Sequence, residues 1–441
     1  MTVVNIILYF LITIIILVFV HEFGHFIAAK ICRMRVDKFY LFFDFFNMRL
    51  FKFVRNDTEY GIGVFPLGGY VKVAGMIDES MDKEFLEHAP QPWEFRSKPV
   101  YQRMFVITAG VIMNTILAFA IFYTIALVQG KTRMETTTIG YVSKNSVAEK
   151  TGLIPGDKII SINGRHIGYW DQVRSNIFLE AMGEDIDMTV ERNGTLQKYF
   201  IPKNNLKDLT EHGFGIYPQD MSPEILQVIP EKPAGRLGLK PGDVITSVNS
   251  EKIYSSQQFV DLIKSNWDKN VNLTWLRDGK EISGSVHPDP DSTIGIGVGR
   301  FIGALKTIHF NVLTAAPEGF KDLYNYGVVL FLKSMWKIIK GEIAFSKAVG
   351  GPIKIAQFAG QSAEGGFLSF IGFMAMLSIT LAIINILPFP ALDGGHFMFL
   401  VYEAIFKKPV SYKVQVVVQN VGFAILMLFM AYVVYNDIMH I

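Results

Sequence analysis

The chain is poor in charge and almost without cysteine. Asp, Glu, Lys and Arg together make up 19% of its 441 residues, while half of the residues are hydrophobic. The formal net charge is only +2, so no basic footprint for nucleic acid is present. The single cysteine, Cys32, excludes an internal disulfide framework and a cysteine-rich zinc site. It reads as an inert buried thiol. The N-terminus lacks a basic stretch and a small-residue cleavage site. Its apolar run therefore reads as a retained transmembrane helix rather than a signal peptide.

What the chain has instead is long apolar runs. Four segments, Val4–Ala29, Met104–Val128, Phe367–Leu387 and Val416–Tyr435, reach the roughly 20 residues that a helix needs to cross a bilayer. The loop after the first carries Arg33, Arg35, Lys38, Arg49, Lys52, Arg55, Lys72, Lys83, Arg96, Lys98 and Arg103. The loop after the third carries Lys407, Lys408 and Lys413. The positive-inside rule places both loops in the cytoplasm and the termini and central region outside.

His21-Glu22-Phe23-Gly24-His25 interrupts the first run. H-E-x-x-H is the helix signature of zinc proteases. Two His at i and i+4 share one face, with a Glu beside them as general base. Ionisable residues at membrane depth are costly and point to function. The bland alternative is a helix end whose His and Glu residues rest at the membrane interface. Two His leave a catalytic zinc one protein ligand short. Asp393 follows the third span and, by the topology, reaches the same depth as His21 and His25. His396, three residues on, is its main competitor and otherwise a partner of the ligands. Pro388 and Pro390 break the third span. Asn385 either hydrogen-bonds to such an extended backbone or to a substrate strand, or caps the third helix.

The segment Phe39–Met76 reads as β structure, with a turn at Asn56-Asp57 and short strands at Glu59–Val64 and Tyr70–Val73. Gly61–Tyr70 is too apolar for an ordinary cytoplasmic loop. It is either a hairpin dipping into the membrane, with its backbone shielded, or a sheet covered by its own aromatics. Residues Thr314–Val349 mix apolar and basic positions in the manner of an interfacial amphipathic helix.

The central region repeats. Ala148-x3-Gly152-Leu153-x-Pro155-Gly156-Asp157-x-Ile159-x-Ser161-Ile162-Asn163 recurs as Ala234-x3-Gly238-Leu239-x-Pro241-Gly242-Asp243-x-Ile245-x-Ser247-Val248-Asn249, 86 residues later. Arg192-Asn193-Gly194 and Arg277-Asp278-Gly279 recur as hairpin turns. The two copies resemble PDZ domains in the permuted form of bacterial proteases. Such domains bind extended peptides by strand addition; the pair here either does so or acts as a spacer or size filter.

Taken together, H-E-F-G-H in the first span, Asn385-x2-Pro388-x-Pro390-x-Leu392-Asp393-Gly394-Gly395 after the third, and PDZ repeats between them resemble the site-2 protease family in its Gram-negative, tandem-PDZ branch. The resemblance covers essentially the whole chain. It implies a polytopic α-helical membrane protein with four transmembrane helices, a membrane-associated β-hairpin or sheet, and two extracytoplasmic PDZ-like α+β domains. Its parts are the first helix (1–31), a cytoplasmic and membrane-reentrant β region (32–103), the second helix (104–129), PDZ-like domains (130–215 and 216–305), an interfacial region (306–365), the third helix (366–400), a cytoplasmic loop (401–415) and the fourth helix (416–441).

The resemblance further implies intramembrane zinc proteolysis in a bacterial inner membrane. Zn2+ is held by His21, His25 and Asp393, with Glu22 as base. Asn385, Pro388 and Pro390 fall on the substrate-handling stretch. The implied substrates are single-span membrane proteins, trimmed anti-sigma factors in envelope stress signalling, and signal-peptide remnants. A helical substrate must unwind before it is cut. Pairing with the edge of the β-loop does this, so Gly68, Gly69, Tyr70, Val71 and Val73 are expected to bind it. One departure is visible: the family's second span reads A-G-P-x2-N-F, whereas here it is Ala109-Gly110-Val111-Ile112-Met113-Asn114-Thr115. A kink in that span is therefore in doubt. A scaffold with a vestigial site would not need an intact Glu22. A metal transporter would carry ionisable residues in several spans, and the second and fourth interiors offer almost none.

Overall fold

The computed structural model describes residues 2–44, 48–76, 89–177, 185–203, 214–219, 221–291, 293–303, 305–339 and 350–439. They form two units, Met1–Gln129 with Phe310–Ile441, and Gly130–His309.

In the first unit, four helices among the described residues are long and apolar enough to cross a membrane: α1 (Val3–Ile31), α2 (Val100–Gln129), α4 (Phe367–Ile386) and α6 (Tyr412–Met439). Helix α3 (Pro352–Glu364) precedes α4, and α5 (Asp393–Phe406) lies between α4 and α6. A helix satisfies its own backbone, which makes it fit for a membrane interior. Small residues let α1 and α2 touch: a Cβ on Gly24 would lie 2.4 Å from the Ala109 carbonyl oxygen. With Val111 where the family has proline, α2 runs unbroken. Residues Val312–Asp322 and Leu330–Ile339 are α-helical and are joined by a π-helical turn, Leu323–Val329. Gly319 and Gly327 bring this segment against Tyr123 of α2 and Ile379 of α4. Residues 340–349 of the expected interfacial helix lie outside the described residues.

Strands β1 (Val36–Phe43), β2 (Arg49–Arg55), β3 (Thr58–Gly63) and β4 (Phe65–Val73) form one sheet in the order β2-β3-β1-β4. Asn56 and Asp57 both take positive φ and make the tight turn between β2 and β3. Gly61–Tyr70 is not a hairpin, because β1 lies between β3 and β4. Glycine makes this possible. A Cβ on Gly61 would meet the Tyr40 ring of β1 at 2.4 Å, and one on Gly69 would meet the Tyr40 carbonyl oxygen at 2.8 Å. The sheet docks on α1 through aromatic edges: Phe39 meets Phe19 and Phe26, and Tyr60 meets Phe26. Among the described strands, β4 is the edge strand that packs against α1.

The second unit holds two α+β domains with separate cores. The first contains β5 (Lys158–Ile162), β6 (Arg165–His166), β7 (Ile186–Arg192) and β8 (Thr195–Ile201) in the order β8-β7-β5-β6. In the second, β10 (Val244–Val248), β11 (Glu251–Lys252), β12 (Val271–Arg277) and β13 (Lys280–Val286) repeat that order, and β10 also pairs with β9 (Met221–Val228). The repeated motif has a structural reason. Asp157 accepts two hydrogen bonds from Arg192 and one from the Ile154 N–H, and Arg192 also donates to the Gly152 carbonyl. Asp243, Arg277, Lys240 and Gly238 repeat the arrangement. The Pro-Gly-Asp turn and the Arg before each hairpin are thus two halves of one buried clamp. The architecture is that of a polytopic helical membrane protein with two PDZ-like domains.

Candidate metal centre

Helix α1 turns His21 and His25 to one face, as i and i+4 spacing requires. Their Nε2 atoms are 3.3 Å apart. Asp393 arrives from the other end of the chain. Pro388 forces Leu387 into extended backbone and so ends α4. The chain reverses through Ala391, at φ 71°, and re-enters a helix at Asp393, the first residue of α5. Gly394 and Gly395 permit this re-entry: a Cβ on either would strike the carbonyls of Leu387 or Phe389, at 2.0 and 2.5 Å. Asp393 Oδ2 is 3.2 Å from His21 Nε2 and 3.3 Å from His25 Nε2.

Among the described residues these three form the one group of His, Cys, Asp and Glu whose donor atoms converge closely enough to hold a metal. His396 is not part of it. Three observations test the fit. Ligands 2.0–2.1 Å from a tetrahedral zinc lie about 3.3 Å from one another, which the triangle matches. Asp393 Oδ2 is buried without a hydrogen bond, an orphan acceptor aimed at both imidazoles. On α2, Gly110 leaves the space beside them open, for a Cβ there would lie 2.4 Å from His25 Nε2 and 2.8 Å from His21 Nε2. The donor set, two imidazoles and a carboxylate, suits zinc.

The imidazoles are held from behind. His25 Nδ1 lies 2.8 Å from the Val106 carbonyl, an acceptor only. His21 Nδ1 lies 3.2 Å from the Asn114 amide. Gly110 and Asn114, again i and i+4, face the His pair from α2. Sequence reasoning missed both as site residues. Their signal was a lone amide and a glycine one turn apart in an apolar span.

The other predicted residues divide. Asn385 does not cap α4; its Nδ2 lies 3.3 Å from His21 Nε2. Pro388 is exposed in the loop, while Pro390 packs where Gly422 of α6 leaves room. Gln419, one turn before Gly422, accepts the Ala391 N–H and was not foreseen. Gly69 of β4 lies against the active helix, its hypothetical Cβ 3.1 Å from Glu22 Cγ and 2.9 Å from Val18 Cγ1. Gly68 packs under the Phe43 ring, and Tyr70 donates to Asp44. Val71 and Val73 bury their side chains in the core between sheet and helices, and the Val73 carbonyl accepts the Met76 N–H.

A His-His-carboxylate cluster with an adjacent Glu, its imidazoles on a membrane-length helix and its carboxylate at the start of the helix that follows another, defines the class: a membrane metallohydrolase. The particular family follows from comparison. The model of peptidase family M50 matches residues 9–429, so the chain belongs to that family and is a metalloprotease. A Neisseria meningitidis protein named as a zinc metalloprotease is 32% identical, covering 97% of this chain and 98% of its own. The regulator of sigma-E protease of Salmonella typhimurium is 32% identical, covering 97% of each chain, and its Escherichia coli counterpart 31%, with the same coverage. A solved PDZ domain of an SdrC-like protein from Listeria monocytogenes is 27% identical over 17% of this chain and 85% of its own, with a TM-score of 0.16. The PDZ likeness rests instead on the strand order and the repeated clamp.

Proposed function

We propose that this protein is an intramembrane zinc protease of single-span membrane proteins, and that His21, His25 and Asp393 are its zinc ligands. The observation that carries the reading is the 3.2–3.3 Å triangle of donor atoms, two from the membrane-length helix α1 and one from the start of α5, just past the membrane-length helix α4. Zinc held there would polarise the scissile carbonyl and bring the pKa of a water down to about 7. Glu22 lies beside the ligands and not among them. It takes the proton of the attacking water and passes it to the leaving amine. Asn385, whose amide reaches the edge of the triangle, and the Pro388–Pro390 turn, closed by Phe389 N–H on the Leu387 carbonyl, orient the substrate backbone.

The substrate helix hides its peptide bonds and must unwind. Edge strand β4, with Gly68, Gly69, Tyr70, Val71 and Val73, takes the unwound segment as an added strand next to Glu22. The close approach of Gly69 to Glu22 supports this route. Lys and Arg in the loops after the first and third spans support an orientation with the site toward the cytoplasm and the PDZ domains and termini outside, in a bacterial inner membrane. The names of the Salmonella and Escherichia coli relatives support a place in sigma-E regulation, with a trimmed anti-sigma factor as substrate and signal-peptide remnants as a second class.

The test pairs metal content with cleavage of a reconstituted single-span substrate. Wild type binds one zinc and cleaves. Glu22→Gln keeps zinc and does not cleave. Asp393→Ala loses both. Full zinc occupancy in Asp393→Ala would move the third ligand elsewhere, and turnover by pure Glu22→Gln would remove Glu22 as the base.

A further inference from the structure

The two kinds of group in the cluster are held in place differently. Each imidazole meets a polar group of α2 at Nδ1, the Val106 carbonyl for His25 and the Asn114 amide for His21. The carboxylate lacks such support at the atom that faces them, for Asp393 Oδ2 is buried without a hydrogen bond. Its place is set by the backbone that carries it, the turn from Leu387 to Leu392. Pro388 and Pro390 bring no N–H to that turn. The N–H groups of Leu387, Phe389 and Leu392 bond locally, to the carbonyls of Ile384, Leu387 and Phe389. The Ala391 N–H instead leaves the turn and donates to Gln419 Oε1 of α6. Ala391 stands at φ 71°, a left-handed conformation that a Cβ disfavours, so the residue two positions before the carboxylate needs an outside hold.

Gln419 is arranged for this one contact. It is buried, and a backbone N–H only donates, so Ala391 dictates that the amide oxygen faces the turn. The orientation leaves Gln419 Nε2 buried without a partner, which is unfavourable in itself. Gly422, three residues on and on the same helix face, lets the turn come close: a Cβ there would lie 2.3 Å from Pro390 Cβ. We propose that Gln419 is a positioning residue for the carboxylate ligand, fixing through the Ala391 N–H the turn that brings Asp393 Oδ2 to the two imidazoles. The inference rests on the zinc reading of the cluster. Helix α6 supplies no ligand, yet it sets the place of one. Without the Gln419 acceptor, Ala391 relaxes toward negative φ, and the start of α5 carries Asp393 away from His21 and His25.

The experiment uses the full-length protein in detergent or bilayer, with zinc as the probe. Zinc affinity is measured by chelator competition, and the turn is read separately in zinc-free protein by hydrogen exchange at the Ala391 N–H. Gln419→Met keeps the length and packing of the side chain but offers only a weak sulfur acceptor. It weakens zinc about tenfold, the worth of one hydrogen bond, and speeds exchange at Ala391 by a similar factor. Gln419→Glu keeps an oxygen at the same reach and retains the wild-type affinity. Glycine takes positive φ without steric cost, so adding Ala391→Gly to Gln419→Met restores most of the lost affinity. A glutamine that only packed α6 would show neither the difference between Met and Glu nor the rescue by glycine. Wild-type affinity in a folded Gln419→Met, an equal loss in a folded Gln419→Glu, or no rescue by Ala391→Gly would overturn the proposal. A wild type that binds no zinc would instead overturn the proposed function, and exchange at Ala391 in the zinc-free protein would still test the Gln419 contact.

Discussion

Gly110 of the second span stands so close to His25 that a methyl group on its Cα would lie 2.4 Å from the His25 Nε2 atom. The neighbour is a ring fixed from behind by Val106, not a flexible chain end that swings aside. Gly110→Ala is therefore expected to displace the ring and abolish zinc binding and cleavage together. Helix α2 itself gains up to about 1 kcal/mol from the exchange. Metal analysis of the folded variant checks this; normal zinc content would mean that the two helices part readily.

Among the described strands, β4 pairs with β1 alone. Successive N–H groups along a strand point to opposite sides, so Tyr70 and Val71 divide between β1 and the opposite edge. Proline removes the N–H. Of Tyr70→Pro and Val71→Pro, one should disturb the sheet. The other should leave it folded and slow cleavage of a helix-stable substrate about tenfold, the worth of one lost hydrogen bond. The loss should be smaller for substrates with Gly or Asn near the cut, which unwind more readily. Unimpaired cleavage by both variants would remove strand addition at β4.

Asp437, near the end of α6, is fully buried and accepts the N–H groups of Gly351, Ile353 and Lys354 at the start of α3. Those donors have no partner within their own helix. Asp437→Ala leaves them orphaned, at a cost on the order of 3 kcal/mol. Hydrogen exchange at Ile353 and Lys354 should rise by two orders of magnitude or more, with zinc content unchanged. Unchanged protection would show that packing of α3 suffices without the cap.

In the second PDZ-like domain, Asp243 is buried under the Arg277 fork. Burial by itself would raise the Asp243 carboxyl, but Arg277 and the Lys240 N–H outweigh it and hold the group below the usual carboxylate range. A depressed folded value means that the stabilisation is complete above the unfolded value of about 4 and disappears as pH falls below it. Arg277→Leu should cost about 3 kcal/mol, because it strands a buried charge. Hydrogen exchange across Val271–Arg277 measures both effects. The mutational effect should shrink as the pH is lowered through that window, and a pH-independent difference would assign the cost to lost packing.

Much of this protein is legible in its sequence for local reasons. The apolar runs specify the spans because a membrane leaves a backbone few alternatives to a helix. H-E-x-x-H specifies two facing imidazoles because helical periodicity alone puts i and i+4 together. The PDZ repeats are recognisable because each is a self-contained turn, strand and hairpin. Asp393 was reachable by reasoning about depth, since a proline-terminated span must deliver its end to one membrane face.

What the sequence left undecided is what depends on contacts between distant elements. Nothing local says that β1 inserts between β3 and β4, or that Tyr40 packs where Gly61 and Gly69 leave room for it. Asn385 could be read as a cap until α4 was seen to turn it toward His21. Gly110, Asn114, Gln419 and Asp437 look like ordinary small or polar interruptions of apolar helices. Their roles exist only because each side chain, or its absence, meets a group 28 to 93 residues away. Periodicity fixes which face of a helix a residue occupies. Only the packed structure fixes what that face meets, and in a site made of three donor atoms within 3.3 Å of one another, that meeting is the chemistry.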